Sequence, residues 1–381
     1  MIFVLRMSLE DSLMFRLSVE KRITEKTEDI FCMRIAMLIS GGVDSSVALR
    51  LLKEAGHDVR AFYMKIWLED ELAFLGECPW EEDLEYVRAV CGAADVPFEV
   101  VPFQKEYWER VVSETLAEVR AGRTPNPDML CNSRIKFGAF FDAFGKNFEK
   151  IATGHYAQTE ERSGKTWLAM STDSFKDQTY FLSQLTQDQL AHACFPIGHL
   201  EKSEVRELAK RYRLPNATRK DSQGICFLGK IAFDGFLEYH LGKRIGNIID
   251  WKTGKKLGEH QGFWYYTIGQ RQGIGLSGGP WYVVEKRPET NEVFVSNYYR
   301  SEGMLRKSFE VSTINWISGK PRGRDLQVKI RHGEKLLATR LVLHHDGTAT
   351  VRLFEPEKGI APGQYAVFYN GKYCLGGGVI V

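Results

Sequence analysis

No stretch of this chain approaches the roughly 20 consecutive apolar residues that a membrane-spanning helix requires, so nothing in it reads as a membrane protein. There is no CxxC pair and no cysteine–histidine spacing of the zinc type. The seven cysteines, Cys32, Cys78, Cys91, Cys131, Cys194, Cys226 and Cys374, are odd in number and scattered. Such a set suits a reducing compartment better than a disulfide framework. No cluster of His, Cys, Asp and Glu marks a metal site, and no internal repeat or low-complexity tract is visible. Large net charge is also lacking, at +2 over 381 residues.

That small balance hides an asymmetry. Lys and Arg against Asp and Glu stand at 32 to 38 over residues 1–250, and at 19 to 11 over 251–381, a surplus of +8. A basic C-terminal third fits a polyanionic partner, and equally an ordinary solvated surface. Residues 1–32 carry five basic and six acidic residues, too acidic for a transit peptide and without the apolar core of a signal peptide. They are read as an extension of unassigned role.

The length allows two or three domains. "RIAMLIS" (34–40), "DVRAFYMK" (58–65), "PFEVVPF" (97–103) and "FEKIATGHY" (148–156) read as strands. Helical periodicity separates them over about 46–55, 81–96 and 105–121. Strands alternating with helices predict an α/β domain over 33–226 with a doubly wound parallel sheet. After about residue 226 aromatic and β-branched residues alternate with Gly, Pro and Asn turns. A small mixed module is expected over 227–290, and a small β domain, sandwich or barrel, over 291–381.

Between the first strand and first helix lies "SGGVDSS" (40–46). A turn there presents backbone N–H groups at a helix N-terminus, where the helix dipole favours an anion. Gly41 and Gly42 allow a nest of amides, Ser40, Ser45 and Ser46 bring hydroxyls, and Asp44 can cap the helix or help hold a magnesium ion. A phosphate chain suits the site, although a capped structural turn has the same letters. It is not a Walker loop, because no lysine follows at that spacing.

Two cysteines lie in polar contexts. Cys131, in "GRTPNPDMLCNSRIKF" (122–137), follows two prolines expected to hold an extended loop. Arg123, Arg134 and Lys136 are near it in sequence, and cations raise a thiol's thiolate fraction. Cys226 lies in "ATRKDSQGICFLGK" (217–230), read as a loop. Packing and reactive roles both remain open on these grounds. A basic run from Lys202 through Arg206, Lys210, Arg211, Arg213, Arg219 and Lys220 to Lys230 is a candidate phosphate track or an exposed helix face, as are Arg322, Arg324 and Lys329. His155 either reaches the site or ends a strand, and Trp264, Tyr265 and Tyr266 read as strand core rather than base-stacking platforms.

"SGGVDSS" resembles the PP-loop of ATP pyrophosphatases. Together with "GRTPNPDMLCN", "IATGHY", "KDQTYFLSQL", "KDSQGICFLG" and "YTIGQRQGIG", in that order, the chain from about residue 33 resembles the tRNA-specific 2-thiouridylases. That resemblance implies an adenine nucleotide α-hydrolase-like catalytic domain, a small central tRNA-binding module and a C-terminal β-barrel-like domain. It implies ATP and Mg²⁺ as cofactors, tRNA as substrate, a sulfur-donor protein as partner, no membrane, and a bacterial cytoplasm or organelle matrix. Cys226 would carry sulfur as a persulfide, Cys131 would resolve it, and Asp128 would act as acid/base. Ser40, Gly41, Gly42, Val43, Asp44, Ser45, Met64 and Gly154 match ATP contacts. Asn126, Pro127 and Asp128 match contacts to the target base. Lys176, Asp177 and Gln178, with Arg331, His332 and Gln364, match tRNA contacts. Two departures stand out: Leu38-Ile39 where the family often has Gly-Met, and Ser133-Arg134 in place of a frequent Lys-Glu. Two other classes remain to be distinguished, a PP-loop enzyme that adenylates a metabolite and accepts ammonia, and an RNA-binding scaffold with a vestigial loop.

Overall fold

The computed structural model describes residues 32–66, 80–221, 233–298 and 305–381. Five parallel strands form its first sheet: β1 (Arg34–Leu38), β2 (Asp58–Lys65), β3 (Phe98–Pro102), β4 (Lys150–Ala152) and β7 (Ala193–Cys194), in the order β3-β2-β1-β4-β7. Each face of this sheet has its own core, which explains why β1 is apolar from Ile35 to Leu38. Ile35 and Met37 pack on one side with Val59, Ala61 and Tyr63, against α1 (Val43–Glu54), α2 (Trp80–Ala94) and α3 (Lys202–Arg211). Ala36 and Leu38 point to the other side with Phe62, against the helical runs 104–120 and 127–144. The strand order reverses between β1 and β4, and in a doubly wound sheet that is where a ligand crevice opens beyond the strand C-termini.

The central module consists of α4 (Phe233–Leu241) and a four-stranded sheet. Its strands are β8 (Gly246–Asp250), β9 (Lys256–His260), β10 (Tyr282–Arg287) and β11 (Glu292–Ser296), with β11 paired parallel to β8. This sheet therefore runs to Ser296, past the residue 290 at which the texture of the sequence divides the module from the last domain. Phe263–Tyr265 form a 3-10 turn rather than a strand. Phe263 and Tyr266 are buried in this module's core with Trp264 and Tyr265 packed on it, so the aromatics are core in a different local geometry.

The last domain is a closed antiparallel barrel of six strands, β12 (Arg306–Trp316), β13 (Asp325–Lys329), β14 (Leu337–Leu343), β15 (Ala349–Glu357), β16 (Tyr365–Asn370) and β17 (Tyr373–Ile380). Closure comes from β12 pairing with β17, which removes the exposed sheet edges. A hairpin of the first domain, β5 (Ala157–Arg162) and β6 (Lys165–Met170), extends the barrel sheet through Tyr373 opposite Ala169 and Cys374 opposite Leu168.

Behind this hairpin, Lys329 of the barrel and Asp177 of the first domain pair at 2.9 Å with both side chains 0% exposed. The other bonds of Asp177 come from Ser171 N–H and the Thr179 hydroxyl, so its carboxylate is satisfied inside the protein. Lys329 is thus no part of a surface basic patch. Removing one member of such a pair leaves an uncompensated buried charge, at a cost of about 3–5 kcal/mol. Lys329→Met should therefore lower the urea midpoint of the barrel's unfolding by a corresponding amount, and an unchanged midpoint would show that the pair contributes nothing.

Candidate functional site

The turn after β1 enters the crevice. Gly41 adopts φ +76°, and a Cβ there would lie 2.7 Å from the Asp83 carbonyl oxygen. Gly42, at φ −77°, is extended and caps α1 through its carbonyl, which accepts Ser46 N–H at 3.2 Å and the Ser45 and Ser46 hydroxyls at 3.1 and 2.8 Å. Left-handed freedom is needed at the first glycine only. The Ser40 and Ser45 hydroxyls lie 3.3 Å apart. Val43 is buried in the sheet core. From below, Asn216 Nδ2 donates to Gly41 O at 2.7 Å and to Ser46 Oγ at 2.9 Å, and Arg219 donates to Gly41 O at 3.2 Å while pairing with Asp83 at 2.5 Å. Across the crevice Gly154 follows β4, and a Cβ on it would stand 2.6 Å from Ser45 N. Two backbones thus meet at the amide end of α1, a geometry that suits a phosphate chain.

Asp44 caps nothing with its side chain. It accepts the Tyr156 hydroxyl at 2.9 Å and the Lys202 ammonium at 2.7 and 2.9 Å. Lys202 also lies 2.8 Å from Asp221, which pairs with Lys176 at 2.8 Å and Arg206 at 2.5 Å. Burial alone would raise the Asp221 carboxyl, but its bonds with Lys176 and Lys202 hold it well below the usual carboxylate range. Burial, reinforced by Asp44, raises the Tyr156 phenol far above its ordinary value, so it remains a donor. These contacts correct the picture of a basic track: Lys202, Arg206 and Arg219 turn inward to support the loop, leaving Lys210, Arg211, Arg213 and Lys220 exposed. Lys230 lies outside the described residues.

The second half of the site is the 123–136 stretch. Only its first part is the expected extended loop. Thr124 N–H donates to Pro362 O at 2.8 Å, and Gln364 Nε2 donates to the Thr124 and Pro125 carbonyls at 2.9 and 3.2 Å. Pro127 then begins a helix, as its fixed φ and missing donor favour at that position. Cys131 is therefore helical rather than looped, in a wide π-type turn (Cys131–Ala139), and is only 1% exposed. Its sequence neighbours are engaged elsewhere: Arg123 with Glu118, Arg134 with Glu114, and Lys136 with Asn132 Oδ1 at 2.8 Å. Cys226 lies outside the described residues, as do Cys78 and residues 1–31. Burial pushes the Cys91 and Cys374 thiols up to about 12, which marks them as packing residues.

One helical turn before Cys131, Asp128 Oδ1 is buried with no hydrogen-bond partner among the described residues. Asn126 bonds the Tyr180 hydroxyl. His332 reaches this corner from the barrel, stacked on Phe181 with centroids 4.5 Å apart, its Nε2 3.1 Å from Asp177 O. Burial lowers its pKa against an opposing pull from Asp177 and Asp128. His155 is buried with Nδ1 2.7 Å from Thr153 Oγ1, and burial, aided by the Lys136 charge, keeps its imidazole neutral. It stands next to Gly154 in the glycine turn.

Of the remaining expected residues, Met64 is partly buried near the C-terminal end of β2, and Arg331 is exposed 4.0 Å from Glu357. Lys176 bonds Asp221, while Gln178 Oε1 accepts Tyr156 N–H at 2.9 Å. Residues that sequence reasoning passed over are Tyr156, Asn216 and Asp221, while Lys202 was read only as one cation of a basic run. Tyr156 and Asp221 lie inside the quoted motifs "IATGHY" and "KDSQGICFLG"; Asn216 carried no local signal. Among the described residues no group of three or more His, Cys, Asp and Glu could hold a metal, and no helix is long and apolar enough to cross a membrane.

Three family models match in succession: a tRNA methyl transferase HUP domain over residues 33–230, a tRNA methyl transferase PRC-barrel domain over 234–297, and an aminomethyltransferase β-barrel domain over 306–380. The tRNA-specific 2-thiouridylase MnmA of Parabacteroides distasonis is 49% identical over 357 residues, covering 92% of this chain and 99% of that protein. Its counterpart in Porphyromonas gingivalis is 48% identical over 361 residues, covering 91% and 99%. A solved structure of the U34-tRNA thiolase NcsA from Methanococcus maripaludis is 15% identical at a TM-score of 0.36, covering 60% of this chain and 76% of that one, a likeness too loose to bear on function. The first domain is of the nucleotide-binding HUP class. The chain belongs to the tRNA-specific 2-thiouridylase family, and is accordingly a tRNA-modifying sulfurtransferase that uses a nucleotide.

Because a Cβ on Gly154 would collide with the Ser45 amide at 2.6 Å, Gly154→Ala should displace the loop. Overpacking of this kind costs about 1–3 kcal/mol. The variant should bind ATP roughly 5- to 150-fold more weakly by calorimetry, and wild-type affinity would remove this approach from the site.

Proposed function

We propose that the enzyme replaces O2 of the wobble uridine of tRNA with sulfur, by adenylating that oxygen with ATP and transferring sulfur from a persulfide on Cys226. A urea-like carbonyl oxygen is a poor leaving group. Its attack on the α-phosphate gives a C2–O–AMP linkage and pyrophosphate. The outer sulfur of the Cys226 persulfide then bonds to C2 as AMP departs. The Cys131 thiolate attacks the Cys226 sulfur and breaks the S–S bond, which releases the 2-thio base and leaves a Cys131–Cys226 disulfide for an external thiol to reduce. A cysteine desulfurase or sulfur-relay protein supplies the persulfide.

The chain's own groups divide these tasks. The amide nest of residues 41–45 and the hydroxyls of Ser40 and Ser45 bind the phosphates, and Gly154 admits them. Asp44, in the loop itself, would hold a Mg²⁺ ion, which would supply charge neutralisation for the pyrophosphate. The target base must leave the anticodon stack, at a cost of a few kcal/mol. Asn126, Pro127 and Asp128 receive it, Arg331 offers an exposed cation to tRNA phosphates and Lys176 a half-buried one paired with Asp221, and His332 supports Asp128.

The observation that carries this reading is the unpartnered carboxylate oxygen of Asp128 on the helical turn before Cys131. Burying such a group without a partner is unfavourable, and a substrate N–H or O–H would satisfy it. A defined assay with ATP, a persulfide donor, a thiol reductant and unmodified tRNA tests the scheme, scoring pyrophosphate and thiolated nucleoside separately. Cys226→Ser and Cys131→Ser should abolish thiolation while tRNA binding persists. Asp128→Asn should slow the reaction about 10²–10⁴-fold, the usual reach of acid–base catalysis. Full thiolation by Cys226→Ser would end the persulfide scheme. Pyrophosphate release independent of tRNA would favour an enzyme that adenylates a metabolite.

A further inference from the structure

The loop after β1 carries no lysine of its own, yet a lysine ammonium arrives from 158 positions away. Lys202, the first residue of α3, bonds both oxygens of Asp44 at 2.7 and 2.9 Å and lies 2.8 Å from Asp221 Oδ1. Its side chain is 15% exposed, so it is sheltered but not sealed. We propose that Lys202 is the phosphate-binding lysine of this site: on binding of ATP its ammonium turns from Asp44 to the β- and γ-phosphates. The proposal rests on reading the loop as the ATP site.

Three features of the cluster support it. Three cations, Lys176, Lys202 and Arg206, gather around Asp44 and Asp221 beside the amide end of α1, with Asp173 bonding the Lys176 and Lys202 amides. Anions are drawn to that combination. Movement of Lys202 also leaves each carboxylate with a partner. Asp221 keeps Lys176 and Arg206, and Asp44 keeps the Tyr156 hydroxyl at 2.9 Å. Finally, a primary ammonium on a flexible stem is suited to such an exchange, since it acts on phosphate as a point charge. Arg219, by contrast, is held beneath the loop by Gly41 O, Asp83 and the Tyr86 ring.

A lysine that only shaped the loop would affect every nucleotide alike, whereas one that pairs with the outer phosphates discriminates between ATP and AMP. Calorimetric titration of the full chain with each nucleotide in the presence of Mg²⁺ separates the two. Lys202→Met should weaken ATP by at least about tenfold and leave AMP within about twofold, and Lys202→Arg should recover most of the ATP affinity. Where the Met variant does not fold, Lys202→Gln keeps hydrogen bonds to both carboxylates without the charge and should show the same split. Equal losses for ATP and AMP, or no loss for either, would overturn the assignment. A wild-type chain that binds neither nucleotide would overturn the ATP reading itself, and with it the role given to Lys202.

Discussion

An ion pair sealed from water joins the two ends of this molecule. Lys329 and Asp177 are both 0% exposed, and the lysine also sits 5.2 Å from the Tyr369 ring. Two ions leave water only where geometry and further hydrogen bonds compensate, and here Ser171 and Thr179 complete the carboxylate. Because Asp177 is pinned, its neighbours are placed as well. Gln178 holds the Tyr156 amide, Tyr156 holds Asp44, and the Asp177 carbonyl accepts from His332. The barrel thereby reaches the glycine turn after β1 through four residues, without touching it.

A second constraint acts on the chain leading to Cys131. Gly122 takes φ +78°, and a Cβ there would strike Pro288 of the central module at 2.4 Å. Gly363 of the barrel approaches Thr124 so closely that its Cβ would lie 2.9 Å from Thr124 N. Gln364 holds the next two carbonyls. The loop before Asn126 is therefore gripped by all three units. A rigid approach keeps Asp128 in place although one of its oxygens is unpaired, since side chains held by packing can store such unfavourable arrangements for a ligand.

The parallel α/β order was legible because β1 from Ile35 to Leu38 and β2 from Ala61 to Tyr63 are buried apolar runs, while the flanking helices show one apolar stripe. The glycine turn was legible because its chemistry is local: a positive φ at Gly41, hydroxyls, and a helix N-terminus. What the sequence concealed is what arrives from far along the chain. Asn216 and Lys202 each reach this turn from more than 150 positions away. Lys329 and Arg206 read as surface cations, because a charged residue is usually solvated, and only tertiary structure brings a carboxylate to each. Cys131 was misread as a loop residue for a related reason. The two prolines do break regular structure, but Pro127 also starts a helix, and a single sequence does not reveal which of the two effects ends at residue 126.

That helical placement bears on the role proposed for Cys131. At 1% exposure, among Met129, Leu130 and Ile135, it is screened from solvent thiols and oxidants. An exposed thiol such as Cys32 meets every small reagent in its surroundings. A buried one reacts only with what the pocket admits, so selectivity is set by access rather than by the reactivity of the sulfur. The groups nearest in sequence to that access, Asn126 and Asp128, are polar and held by the gripped loop. Entry of a partner into the pocket and the positioning of that partner for reaction are therefore one event.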